Sequence, residues 1–146
     1  MQDAIWDGVR NPQLRELALA VTGNDTRTVT VNKRTMTVQG AACPPRDGRC
    51  ESDAVGRWVA LNRAVAPALL PSGTDSPAAL ACALLSLNGI TCRLRLAPSK
   101  TGQRVYSMAG IPKNRPTSWS AVDVDASTYR FGAEPALTGQ SEDFDG

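Results

Sequence analysis

Residues 72–93 read SGTDSPAALACALLSLNGITCR, a helix set between two kinds of punctuation. Ser76 and Pro77 suit a helix start, since serine can cap orphan amides and proline lacks the N–H that a first turn leaves unpaired. Asn88-Gly89 suits its end. Between them Ala, Leu and Cys make Pro77–Leu87 apolar on most sides, which predicts a central buried helix. ITCRLRLA follows, and its strict alternation predicts a strand with one covered face.

Downstream, RVYSMAGI and SWSAVDVDA read as two more strands. From Thr128 onward TYRFGAEPALTGQSEDFDG has no period and little apolar material, which predicts an extended tail over 128–146. Upstream, Asn11-Pro12 and Gly23 bracket QLRELALAV, with Leu14, Leu17, Ala18 and Val21 on one helical face. TRTVTVNKRTMTVQ alternates on both sides of Asn32-Lys33 and predicts a β-hairpin. AACPPRDGRCES reads as a loop because of its prolines and glycine. A further helix is expected from Ser52 or Asp53, burying Val55, Val59 and the Trp58 region and ending at Pro67. Helices followed by an antiparallel sheet, without alternation of the two, predict an α+β domain spanning residues 1–127. About three helices should pack on the small sheet, with the hairpin as an N-terminal insertion.

The chain has 146 residues, 42% of them apolar, which suits one domain with a single core. Sixteen basic and 14 acidic residues are mixed along it, leaving +2. That balance argues against direct nucleic-acid binding, which needs clustered cations. MQDAIWDGVRNPQ lacks the basic and apolar regions of a signal peptide, and no run approaches a membrane span. Synthesis in the cytoplasm is therefore expected. There is no histidine, so neither a Ser-His-Asp nor a Cys-His-Asp triad can form, and the usual zinc ligand is missing. Cys43 and Cys50 fit no zinc or redox spacing; free thiols are expected in a cytosolic product, with a disulfide closing this loop after particle release as the alternative. Cys82 and Cys92 are expected as small buried apolar residues. No cofactor and no metal are expected.

The order of these pieces resembles the transglutaminase-like branch of the papain-like cysteine peptidase fold, whose smallest members include bacteriophage proteins. The family pattern runs G-D-C-D-D, an apolar helix ending L-L-x-x-L-G-I, a strand with arginine, H-V-Y, then W-x-x-L-D. Here stand Gly73-Thr74-Asp75-Ser76, LLSLNGI with CRLRL, Arg104-Val105-Tyr106, and WSAVD ending at Asp123. Arg57-Trp58-Val59 is similar to the R-W-V ahead of the family's active-site turn. The likeness covers roughly residues 10–126, and its order and spacing carry more than any single word.

The departures fall on the chemistry. The resemblance puts Thr74 where the family has its cysteine, Arg104 where it has histidine, and leaves only Asp123 as a matching triad member. A threonine hydroxyl without an imidazole is a poor nucleophile, and arginine cannot act as the base. The resemblance thus implies a catalytically inactive member, in which Asp123 pairs with Arg104.

The role expected on that footing is a structural or adaptor protein of a bacteriophage virion, in its neck, tail or baseplate. It would be made in the bacterial host cytoplasm and contact other virion proteins or further copies of itself. Tyr129, Arg130, Phe131, Asp143 and Phe144 are the candidate contact residues in the tail. Lys100, Arg104, Lys113 and Arg115 could form a positive edge that receives an acidic arm. Two alternatives are an active or vestigial cysteine hydrolase or transamidase with a displaced nucleophile such as Cys82, and a regulator of a single host protein.

Overall fold

Helix α5, Pro77–Leu87, is the axis around which the rest is arranged. Every residue from Pro77 to Leu85 is buried, and each enclosed leucine contributes about 1.5–3 kcal/mol of apolar burial. Its end follows from Gly89, whose φ of +78° is costly for residues with a Cβ. Gly89 N–H then donates to Ser86 O and Ile90 N–H to Leu85 O, both at 3.0 Å, capping the last carbonyls in a Schellman motif. Asn88 joins this end to a neighbouring helix, its Nδ2 donating to Leu84 O and Ala18 O while its Oδ1 accepts from Thr22 Oγ1.

The computed structural model describes residues 2–70, 76–99, 102–135 and 142–144. Helices α1 (Gln2–Val9), α2 (Pro12–Thr22), α3 (Gly48–Leu61) and the single turn α4 (Ala66–Leu69) pack against α5. The α2 start is as its residues predict: Asn11 Oδ1 accepts from the Gln13 and Leu14 amides, with Pro12 inside the first turn. Helix α1 adds an element that sequence reasoning passed over. Its Ile5 is buried, and Gly8 leaves room for Leu70 Cδ2, only 2.8 Å from where a Cβ would stand.

Strands β1 (Thr26–Val31) and β2 (Arg34–Gln39) form the predicted hairpin. Asn32 and Lys33 both take positive φ, the two-residue geometry whose twist suits a hairpin. Val29, Val31 and Val38 enter the core, while Thr28, Thr30, Thr35 and Thr37 face solvent. The tip is fastened on both sides: Asn32 N–H donates to Gln13 Oε1 and Asn32 Nδ2 to Ala68 O.

The second sheet has the order β5-β4-β3-β6, all neighbours antiparallel, from β3 (Cys92–Ser99), β4 (Gly102–Ile111), β5 (Ser118–Val122) and β6 (Glu142–Phe144). Leu94, Ala109 and Val122 join α5 in the main core, while Tyr106, Met108 and Ala121 form a second cluster with Trp119. Arg93 lies over the Trp119 ring at 4.3 Å, a cation–π contact.

The fold is thus α+β, with more helix than expected. Helix α3 begins at Gly48 rather than at Ser52 or Asp53, because Asp47 caps it by accepting from the Cys50 amide. It also ends at Leu61, short of Pro67.

The free-thiol expectation fails: the loop pair takes its disulfide alternative, and the second pair is bonded as well. Cys43 and Cys50 form a disulfide across the α3 start, with Cα atoms 5.7 Å apart. Cys82 of α5 is bonded to Cys92 of β3, with Cα atoms 5.5 Å apart, so neither is an isolated apolar filler. Helix α5 packs on the sheet with the face that carries Cys82, and strand alternation turns Cys92 toward it.

The tail is not simply extended. Residues 142–144 return as the edge strand β6, and Tyr129 and Phe131 pack against the core.

Candidate functional site

Arg104 and Asp123 meet as an ion pair at the end of the sheet. Arg104 comes from β4 and Asp123 follows β5, and the antiparallel register from Ser107↔Val122 brings the two near each other. One Nη of Arg104 donates to both carboxylate oxygens, at 2.8 and 2.7 Å. Asp123 is 3% exposed at its side chain and Arg104 26%. Asp123 is therefore held by a cation that cannot accept a proton.

The sheet register fixes the face that each β4 side chain takes. The Cys82–Cys92 bond shows which face of β3 looks at α5, and Cys92 stands opposite Ala109. Alternation then puts Val105, Ser107 and Ala109 on the α5 side and Arg104, Tyr106 and Met108 on the other. Arg104 thus leaves the strand away from α5. Thr74, the third residue of the expected set, lies outside the described residues, as does Lys100.

Other groups gather around the pair. Gly56 of α3 leaves the space that Tyr129 Oη occupies beside Val122. Arg57 lies 5.7 Å from the centre of the Tyr129 ring. Burial, and then the nearby charge of Asp53, hold the Tyr129 hydroxyl well above its ordinary pKa, so it stays protonated. Arg63 Nη1 donates to Ala126 O at 2.8 Å and to Val124 O at 3.5 Å, bracing the turn that carries Asp125. Ser52 Oγ, Arg104 Nε and Tyr129 Oη are buried without hydrogen-bond partners among the described residues.

The Asp125 carboxyl, although the residue is exposed, is raised above its ordinary value, first by desolvation, which outweighs the opposing attraction of Arg104 and Arg63; Asp123 raises it further. A raised acid favours the folded state below its unfolded value near 3.8, and that contribution is lost as pH rises through the folded value. Asp125→Asn is therefore expected to increase stability at neutral pH and to leave it unchanged below about pH 4. Urea unfolding of the two proteins at pH 3.5 and pH 7 measures this; equal midpoints at pH 7 would refute it.

The tail residues divide. Tyr129 and Phe131 are partly buried against the chain's own core, with Arg49 5.2 Å from the Phe131 ring centre. These two aromatic anchors are thus engaged within the molecule, whereas Arg130 is exposed. Asp143 and Phe144 lie in β6, opposite Arg95 and Leu94. The expected positive edge does not assemble: Arg104 is committed to Asp123, while Lys113 and Arg115 line a groove of about 600 Å³ with Arg46, Asn88 and Gly89. Within that groove Lys113 Nζ pairs with the nearly buried Glu51 at 2.8 Å. No cluster of three or more His, Cys, Asp or Glu able to hold a metal occurs among the described residues.

Compared with family models, curated proteins and solved structures, the chain matches none. Its functional reading therefore rests on its own residues. Arg63 and Asp125 escaped sequence reasoning, and Tyr129, expected as an outward contact residue, instead packs inward beside Gly56, because each acts through a neighbour distant in the chain. The Arg104–Asp123 pairing is the one the resemblance implied for RVY and WSAVD.

Proposed function

We propose that the protein is a non-catalytic structural or adaptor component of a bacteriophage virion, built on a degenerate transglutaminase-like core. The observation that carries the non-catalytic part is the Arg104–Asp123 pair, in which a buried carboxylate is held through both oxygens by one guanidinium nitrogen. The absence of histidine supports it. So do the disulfides: all four cysteines are bonded, which leaves a displaced nucleophile such as Cys82 without a thiol. Closed disulfides also suit a protein that works after release into an oxidising medium. The virion assignment rests on the order of the motifs and the brevity of the domain.

Mass spectrometry of purified particles tests the assignment. The expected result is the protein present at a stoichiometry set by particle symmetry, with no peptidase, amidase or transamidase turnover in the isolated chain. Absence from particles, together with co-purification with one host protein, would replace this reading with a regulatory one. Turnover abolished by alkylating a thiol would replace it with an enzymatic one.

A further inference from the structure

Strand β3 is paired with β4 along its whole length but with β6 at only three positions, Leu94↔Phe144, Arg95↔Asp143 and Leu96↔Glu142. The edge of the sheet is thus closed by a three-residue strand from the last few residues of the chain. Without it, the outer N–H and C=O groups of residues 94–96 would form an open template for another strand. The two sides are complementary in charge, since Arg95 stands directly opposite Asp143. Arg95 Nη1 also holds Glu134 at 2.9 Å, where the tail leaves the body. One arginine therefore marks both the departure and the return of the tail.

We propose that the β3 edge is an exchange site, at which residues 142–144 of a second copy of this chain replace the chain's own β6 in a reciprocal dimer. The same three register pairs form in both arrangements, so only the connection and the concentration distinguish them. Six residues separate Pro135 from Glu142, enough to reach about 25 Å when extended. A short connection gives the chain's own strand an effective concentration on the order of millimolar. The second copy's strand competes when subunits are held together at similar local concentration, as in an assembly. This inference deepens the structural reading above and rests on it for its purpose.

A charge exchange between two variants tests it. In Arg95→Glu the acidic strand meets a carboxylate of its own sign within its own chain, and in Asp143→Lys the new lysine meets Arg95. Both pairings are repulsive within one chain, and both become attractive when the two variants trade strands. Each variant alone is expected to stay monomeric. An equimolar mixture is expected to dimerise at a concentration roughly tenfold below that needed by the unsubstituted chain, given two cross-strand charge pairs that each turn from repulsive to attractive. Analytical ultracentrifugation with native mass spectrometry reads both size and composition.

A mixture no more associated than its components overturns the proposal, as does a mixed dimer that survives deletion of residues 142–146 from both chains. Melting curves establish that each variant is folded. If either is not, the unsubstituted chain decides: its dimer at about 1 mM must disappear on deletion of residues 142–146. A protein that is present in particles but does not exchange strands loses this contact and keeps the structural role. A protein that exchanges strands but is absent from particles does the reverse.

Discussion

Reduction of both disulfides is expected to lower the melting temperature by about 10–20 °C. The Cys43–Cys50 and Cys82–Cys92 bonds close sequence separations of 7 and 10 residues. The loop-entropy relation assigns them about 2.3 and 2.7 kcal/mol, or about 5 kcal/mol together. A domain of this length has a total stability of roughly 7–20 kcal/mol, so the loss is a large share of the whole. The two bonds should not act alike. Cys82–Cys92 ties the central helix to the sheet, whereas Cys43–Cys50 braces only the first turn of α3, where Asp47 already caps. Cys82→Ala/Cys92→Ala should therefore melt lower than Cys43→Ala/Cys50→Ala, since alanine at 82 also leaves a gap beside α5. Calorimetry with and without reductant measures the total, and a shift under 3 °C would show that the bonds contribute little.

Arg104→Ala is expected to destabilise the protein by about 2–4 kcal/mol. The Coulomb energy of the pair is not the main reason. The substitution leaves Asp123 buried without its cation, and desolvation of an unpaired charge is costly. Asp125, whose carboxyl feels both partners, then adds like-charge repulsion. Because Arg104 keeps some solvent contact, the loss falls below that of a fully enclosed pair. Replacing both members, as in Arg104→Met/Asp123→Leu, should recover most of the loss, because no orphan charge remains. Urea unfolding of the single and double variants gives the coupling directly. A single-variant loss below 0.5 kcal/mol would mean that water reaches Asp123 easily, and the account of a locked carboxylate would fail.

Much of the fold is legible locally because local chemistry decides it. Asn11-Pro12 caps α2, Asn32-Lys33 turns the hairpin, and Asn88-Gly89 ends α5, each through groups within a few residues. The hairpin strands, β3 and β5 announce themselves by alternation. What escaped depends on distant partners. Helix α1 is only eight residues long, and its place is set by Leu70, Leu14 and Ala83, which crowd Gly8. The early start of α3 is hidden in CPPRDGRC, where proline and glycine suggest a loop but Asp47 caps a helix. Four cysteines allow three pairings, and only the packing of α5 on β3 selects one. At the site, the resemblance points to Arg104 and Asp123, whereas Tyr129 packs beside Val122 only because Gly56, 73 positions earlier, lacks a side chain.

The clasp at the hairpin tip joins Gln13, Asn32 and Ala68, and Asn88 joins Ala18, Thr22 and Leu84. These stitches cross between segments that look like separable modules when the chain is laid out in a line. Trimming the first forty residues would remove one wall of the chamber around α5, so no minimal fragment beginning at the disulfide-braced helix should survive alone. The N-terminal third is masonry rather than decoration.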